Sequence, residues 1–170
     1  MSEQSRIFLI GPMGTGKTTI GAQLARQLGY DFVDADQEIE RRTGASVALI
    51  FDVEGEAGFR QREKRIIDEL TQRDRVVLAT GGGAVLDEAN RDCLASRGHV
   101  VYLRTSVETL IKRMRFDTSR PLLQTADPES TLREIIAVRE PLYTSIADLV
   151  IDTGRLSVRQ VIKRITGSLP

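Results

Sequence analysis

The stretch GPMGTGKTTIG, residues 11–21, places four glycines around one lysine directly after the apolar run IFLI. Its first eight residues, Gly11–Thr18, match G-x-x-x-x-G-K-[ST]. Each part of that pattern has a separate chemical reason. Gly11, Gly14 and Gly16 admit backbone conformations closed to other residues and turn amide N–H groups into one concavity. The loop runs into a helix N-terminus, where unpaired N–H groups and the helix dipole favour an anion. Lys17 supplies a charge that bridges terminal phosphates, and the Thr18 hydroxyl is a hard oxygen ligand for Mg²⁺. A nucleoside triphosphate is the expected occupant, with Gly14, Thr15, Gly16, Lys17, Thr18 and Thr19 as its candidate contacts.

Other residues with chemical potential lie further along the chain. VDADQEIE, residues 33–40, sets Asp34 and Asp36 two apart at the end of a strand candidate. In an extended strand such residues face the same way. One carboxylate would then meet the Mg²⁺ shell and the other an acceptor hydroxyl. A plainer reading makes Asp36 the N-cap of the helix that follows. Arg60 and Glu63 stand at i, i+3 and read either as a surface ion pair or as part of a site. TGGG, residues 80–83, leaves three glycines bare after a strand, which suits close approach of a ligand. Arg120 and Arg139 stand beside proline turns in RPLL and REPLY. Arg139 falls on the apolar stripe of its helix, and a charge there needs something to pair with. A substrate carboxylate serves, because a guanidinium fork binds it bidentately.

The elements that must position these groups alternate. RIFLI (6–10), YDFVDAD (30–36), RVVLAT (75–80), HVVYL (99–103) and DLVID (148–152) read as strands. Helical spacing links Ile20, Leu24 and Leu28, with Gly29 as the stop. It recurs from Phe59 through Ile66, Ile67 and Leu70 to near Thr71. A further helix follows an N-cap at Ser106, with Val107, Leu110, Ile111 and Met114 on one face. Another begins at Asp127-Pro128, carries Leu132, Ile135, Ile136 and Arg139, and is expected to end at Pro141. The last starts near Ser157, with Val158, Val161, Ile162 and Ile165. Strands alternating with helices argue for an α/β fold, a parallel sheet with helices on both faces. Ligands of such sheets bind at the carboxyl ends of the strands. There the phosphate loop, DAD and TGGG should converge. Residues 115–128 have no clean period, and a loop of that length is functional or disordered.

Composition sets the outer limits. The 170 residues suit one domain, 1–170, with a sizeable core. Lys+Arg equals Asp+Glu, 24 against 24, so no global charge draws the chain to nucleic acid or to an anionic membrane. The lone Cys93 excludes an internal disulfide and fits a reducing cytoplasm. No segment is apolar for long enough to span a bilayer. Cys93 and His99 read as structural.

In order and interval, GPMGTGKTTIG, DFVDADQEIE, GEAGFRQRE, ATGGGAV, RPLL and REPLY resemble shikimate kinase over essentially the whole chain. The resemblance implies a three-layer α/β sandwich of the P-loop NTPase type, with a five-stranded parallel sheet and a mobile lid over about 113–127. It implies transfer of the γ-phosphate of ATP to the 3-hydroxyl of shikimate, with Mg²⁺, on the route to chorismate and the aromatic amino acids. A monomer is expected. By position, Asp36 resembles the residue that binds shikimate hydroxyls and serves as candidate base, and Asp34 the carboxylate that holds Mg²⁺. Arg60 and Arg139 resemble the pair gripping the shikimate carboxylate, and Glu63 the acidic residue that orients the arginine and the substrate, within a shikimate-binding region over about 34–63. Gly81, Gly82 and Gly83 resemble the lining of the ring, with amides open to its hydroxyls. Arg120 resembles the lid arginine that reaches the transferring phosphate. Arg113, in competition with Arg115, resembles the arginine stacked on adenine, and DTGRLS (152–157) the loop on the other side of it. The rival readings are a related small-molecule kinase such as gluconate kinase, and a nucleotide-binding regulatory module without catalysis. Intact Lys17, Thr18, Asp34, Asp36 and Arg120 speak against the latter.

Overall fold

The computed structural model describes residues 5–114 and 126–170. Five strands, β1 (Arg6–Ile10), β2 (Asp31–Asp34), β3 (Val76–Ala79), β4 (His99–Arg104) and β5 (Leu149–Asp152), form one parallel sheet in the order β2-β3-β1-β4-β5. Seven helices cover it: α1 (Lys17–Leu28), α2 (Ala35–Thr43), α3 (Val47–Leu70), α4 (Glu88–Arg97), α5 (Val107–Met114), α6 (Pro128–Ile146) and α7 (Val158–Ser168).

The period of two divides each central strand between two cores. Phe8, Ile10, Val76, Leu78, Val100 and Tyr102 face α3, α4 and α6, where Phe59, Ile66, Leu70, Leu94 and Tyr143 meet them. Ile7, Leu9, Val77, Val101 and Leu103 face α1 and α7, against Ile20, Leu24, Val161, Ile162 and Ile165. Burial on both faces is why these strands read as unbroken apolar runs.

Strand register brings the chemistry together. Leu9 and Asp34 both pair with Ala79, so β1, β2 and β3 end level and side by side. The three loops that leave them are residues 11–16, the start of α2, and the triple glycine. The Thr80 N–H donates to the Leu9 carbonyl at 3.1 Å and fixes the start of the glycine run.

Three local readings change. The second strand stops at Asp34, which is itself the N-cap of α2, its carboxylate accepting from Gln37 N–H at 3.0 Å. Asp36 therefore lies in the first helical turn and not two residues along a strand. Pro141 does not end its helix, which continues to Ile146. A proline there costs a hydrogen bond, but Leu142, Tyr143 and Ile146 pack on the core, and tertiary packing outweighs local preference. Helix α4 carries little apolar periodicity, and Leu94 is its only fully buried large side chain, so its sequence did not announce it. The helix caps at Ser106, Asp127 and Ser157 stand as the sequence predicts, each side chain accepting a backbone N–H.

Candidate active site

The phosphate loop is built by backbone. Gly11 has φ +141°, and a Cβ there would lie 2.2 Å from the Leu103 carbonyl oxygen. Gly16, at φ +90°, caps α1 and turns the chain into it. Both positions require glycine. Lys17, only 9% exposed, donates from Nζ to the carbonyls of Gly11 at 2.6 Å and Pro12 at 2.8 Å, so its ammonium lies across the mouth of the loop. The buried Thr15 hydroxyl also donates to the Pro12 carbonyl. Thr19 is exposed in the first turn of α1. Thr18 Oγ1 donates to Asp34 Oδ2 at 2.7 Å, which joins the two residues read as metal ligands across two elements. Two adjacent hard oxygens fit Mg²⁺, an ion held by one or two protein ligands plus phosphate oxygens and not by an all-protein cage. Arg113, near the end of α5, donates to the Gly14 carbonyl at 2.9 Å, which sets it beside the phosphate loop. Arg115, Arg120 and most of the expected lid lie outside the described residues.

Beside this loop opens a cavity of about 420 Å³. It runs from Met13, Thr18 and Asp34 at the phosphate end to Asp36, Arg60, Glu63, Arg139 and the three glycines. Val47, Phe51 and Phe59 form an apolar wall. Val47 and Phe51 came from no motif, and Phe59 stood in GEAGFRQRE without a role of its own. A trace of signal exists in the two aromatics of α3 on either side of Gly55, where the helix kinks (φ 74°, ψ 176°), and their rings lie 4.9 Å apart.

The charged groups of the cavity rest on bare glycine. A Cβ at Gly81 would meet Asp36 Oδ1 at 2.8 Å and Glu63 Oε2 at 3.2 Å. At Gly82 it would meet Arg139 Nη1 at 3.4 Å, and at Gly83 Arg60 Nη2 at 2.3 Å. The glycine run is thus a floor on which four ionic side chains sit.

Burial makes their electrostatics strong. Glu63 is 1% exposed. Its Oε1 accepts from Arg60 Nη1 at 2.9 Å, while Oε2 and the Arg60 Nε have no hydrogen-bond partner among the described residues. Burial pushes the Glu63 carboxyl up to about 7; the Arg60 charge opposes this and the Asp36 charge adds to it. Arg139 is 5% exposed, and among the described residues it forms no salt bridge. Burial also pushes the Tyr143 phenol up to about 12, so it is a hydrogen-bond donor throughout the neutral range.

A parallel sheet of this strand order, a glycine loop with its lysine after β1, and a hydroxyl–carboxylate pair beside a cavity lined by charged groups define a P-loop phosphotransferase. The comparisons with known proteins narrow this. The family model for shikimate kinase matches residues 13–170. A shikimate kinase of Halorhodospira halophila is 57% identical over 165 residues, 97% of this chain and 93% of that protein. One of Alteromonas mediterranea is 51% identical over 169 residues, 99% of each. A solved shikimate kinase from Acinetobacter baumannii, in complex with shikimate, aligns at TM-score 0.93 and 49% identity, over 95% of this chain and 90% of that one. This chain belongs to the shikimate kinase family and is a kinase. A gluconokinase from Sinorhizobium meliloti, at TM-score 0.65 and 18% identity, shares the fold alone.

Proposed function

We propose that this chain transfers the γ-phosphate of ATP to the 3-hydroxyl of shikimate, giving shikimate 3-phosphate and ADP. The observation that carries this reading is the pair of arginines, Arg60 and Arg139, in the cavity that also holds Asp36 and opens beside the phosphate loop. A small polyhydroxy acid fits that order of groups. Its carboxylate meets the arginines, its ring lies on Gly81–Gly83 against Phe51 and Phe59, and its reacting hydroxyl points past Asp36 to the phosphates.

In the reaction, the bond between the γ-phosphorus and the β,γ-bridging oxygen breaks while the acceptor oxygen bonds to that phosphorus. The hydroxyl proton passes to Asp36. Phosphoryl transfer needs placement and charge neutralisation more than covalent help. Loop amides and Lys17 hold the phosphates, and the same role is assigned by resemblance to Arg120, which lies outside the described residues. Thr18 and Asp34 would hold Mg²⁺, which when bound would offset the charge of the phosphate oxygens. The arginine clamp orients the acceptor from its far end, with Glu63 setting the angle of Arg60. We assign the exclusion of water, the competing acceptor, to the expected lid of about 113–127, most of which lies outside the described residues. Arg113 contributes to the adenine side of the site; its bond to Gly14 supports that placement.

We also read the chain as a monomer of the cytoplasm that binds neither nucleic acid nor membrane. Charge balance and the single cysteine support this. So does the scatter of exposed large apolar residues, among the described ones only Leu49, Val53, Leu86, Val138 and Val150. Among the described residues no helix is long and apolar enough to cross a membrane.

The test is a coupled ADP-release assay with Mg-ATP and, in turn, shikimate, quinate, gluconate and no acceptor. Turnover with shikimate alone is expected. Turnover with gluconate would keep the fold and overturn the acceptor. Nucleotide binding without acceptor-dependent turnover would return the chain to a regulatory module.

A further inference from the structure

Helix α6 brings two side chains to the same glycine. Arg139 is one, with Nη1 close over the Cα of Gly82. Tyr143, one turn later, is the other: its hydroxyl donates to the Gly82 carbonyl at 2.6 Å, across 61 residues of sequence.

A backbone count shows why that bond matters. Buried carbonyls need donors. The Gly81 carbonyl accepts from Ala84 N–H and the Gly83 carbonyl from Leu86 N–H, both at 3.1 Å. The Gly82 carbonyl, between them, accepts from the phenol of Tyr143. Three successive glycines carry no side chain that could pin them by packing, and glycine has the widest backbone freedom of any residue. The phenol that holds them is itself fixed. Tyr143 is 1% exposed, and its ring lies 4.9 Å from that of Tyr102 in the core.

We propose that Tyr143 is a positioning residue for the acceptor: its hydroxyl sets the orientation of the Gly82 peptide, and with it the floor on which Arg139, Arg60, Asp36 and Glu63 rest. This rests on the reading of Arg60 and Arg139 as the acceptor clamp. The Tyr143 phenol also lies beside the Arg139 guanidinium, so it acts on the acceptor end through the glycines and through that arginine. Loosening the floor by one hydrogen bond lets the four charged groups settle at other heights, and each then meets the acceptor less well. Gly82 also lies against the phosphate loop, near Met13 N and Gly11 O, but that loop is held by its own bonds from Lys17 and Thr15, so nucleotide binding should change far less.

Tyr102 supplies a matched control. It lies in the same aromatic pair, and its hydroxyl donates to the Glu140 carboxylate and not to a glycine carbonyl. Tyr143→Phe, Tyr102→Phe and Arg139→Ala are compared with the unaltered chain by steady-state kinetics and thermal unfolding. Tyr143→Phe should raise KM for shikimate about three- to tenfold, the worth of one neutral hydrogen bond, and leave kcat and KM for ATP within about twofold. Tyr102→Phe should lower the unfolding temperature to a similar extent with KM for shikimate unchanged. Equal KM values for Tyr143→Phe and the unaltered chain would overturn the positioning role. So would a rise in KM for both substrates together, or an equal rise in Tyr102→Phe, either of which would mark a general loss of packing. If Arg139→Ala leaves KM for shikimate unchanged, the clamp reading fails first and takes this inference with it. If Arg139→Ala raises KM and Tyr143→Phe does not, the clamp stands and only the role of Tyr143 falls.

Discussion

The two ends of the cavity are built by opposite means. At the end proposed for phosphate the backbone supplies the shape: Gly11 and Gly16 give the torsions, and one contiguous segment runs into one helix. At the acceptor end the backbone is a bare surface. The groups above it come from α2 (Asp36), α3 (Arg60, Glu63) and α6 (Arg139), which are separated by most of the chain. Glycine serves both ends for different reasons, torsional freedom at the first and empty space at the second. The phosphate end suits a ligand shared by many proteins. The acceptor end, made of separately anchored side chains, is where selectivity between acceptors must lie.

That contrast can be broken by substitution. Lys17→Ala should cause the largest change, a fall in kcat of about 10²–10³, the scale for losing one preorganised charge partner of a transition state. Shikimate binding, followed calorimetrically, should persist. Arg139→Ala should reverse the pattern. Shikimate affinity falls about tenfold or more, as for a charge left without its hydrogen bonds, while ATP affinity holds. Equal losses of both ligands in either variant would mean that the two ends are not separate.

Smaller effects sharpen the role of the glycine floor. In Gly83→Ala the new methyl collides with the Arg60 guanidinium, which must shift. KM for shikimate should rise about threefold or more, and the effect should vanish when Arg60 is already alanine. Additive losses would show that the methyl acts on the ligand directly. The smallest effect concerns pH. Glu63 holds its proton up to about pH 7 in the folded protein, against an ordinary 4.5. Between those values the native state binds more protons than the unfolded one, so this residue's contribution to stability falls as pH rises. Relative to Glu63→Gln, the urea midpoint of the unaltered chain should therefore decline from about pH 5 to about pH 7.5. A constant difference across that range would remove Glu63 as the buried titrating group.

What the sequence disclosed follows the same division. The phosphate loop was legible because its function needs particular residues at fixed, adjacent positions. The parallel sheet was legible because strands buried on two faces cannot hide their apolar runs. Of the acceptor end, single residues stood out only weakly: Arg60 and Glu63 pass for a surface pair, and it was resemblance to a family that gathered them with Asp36 and Arg139. Asp34 and Asp36 look alike in the sequence, but the strand stops between them. One caps α2 beside Thr18, and the other turns toward Gly81. Tyr143 stood in REPLY without a role of its own, because a tyrosine on a helix reads as core. Its use depends on a carbonyl 61 residues away. Pro141 misled because local preference says stop where long-range packing says continue.

That proline has a mechanical consequence. Without an amide hydrogen it cannot bond to the carbonyl of Ala137, which lies on the exposed side of α6. The helix thus has a joint, and Arg139 and Tyr143 stand on either side of it. The two turns are therefore tied to each other by one backbone bond fewer than their neighbours, and the residue proposed to clamp the acceptor and the residue proposed to hold the floor fall on opposite sides of that gap.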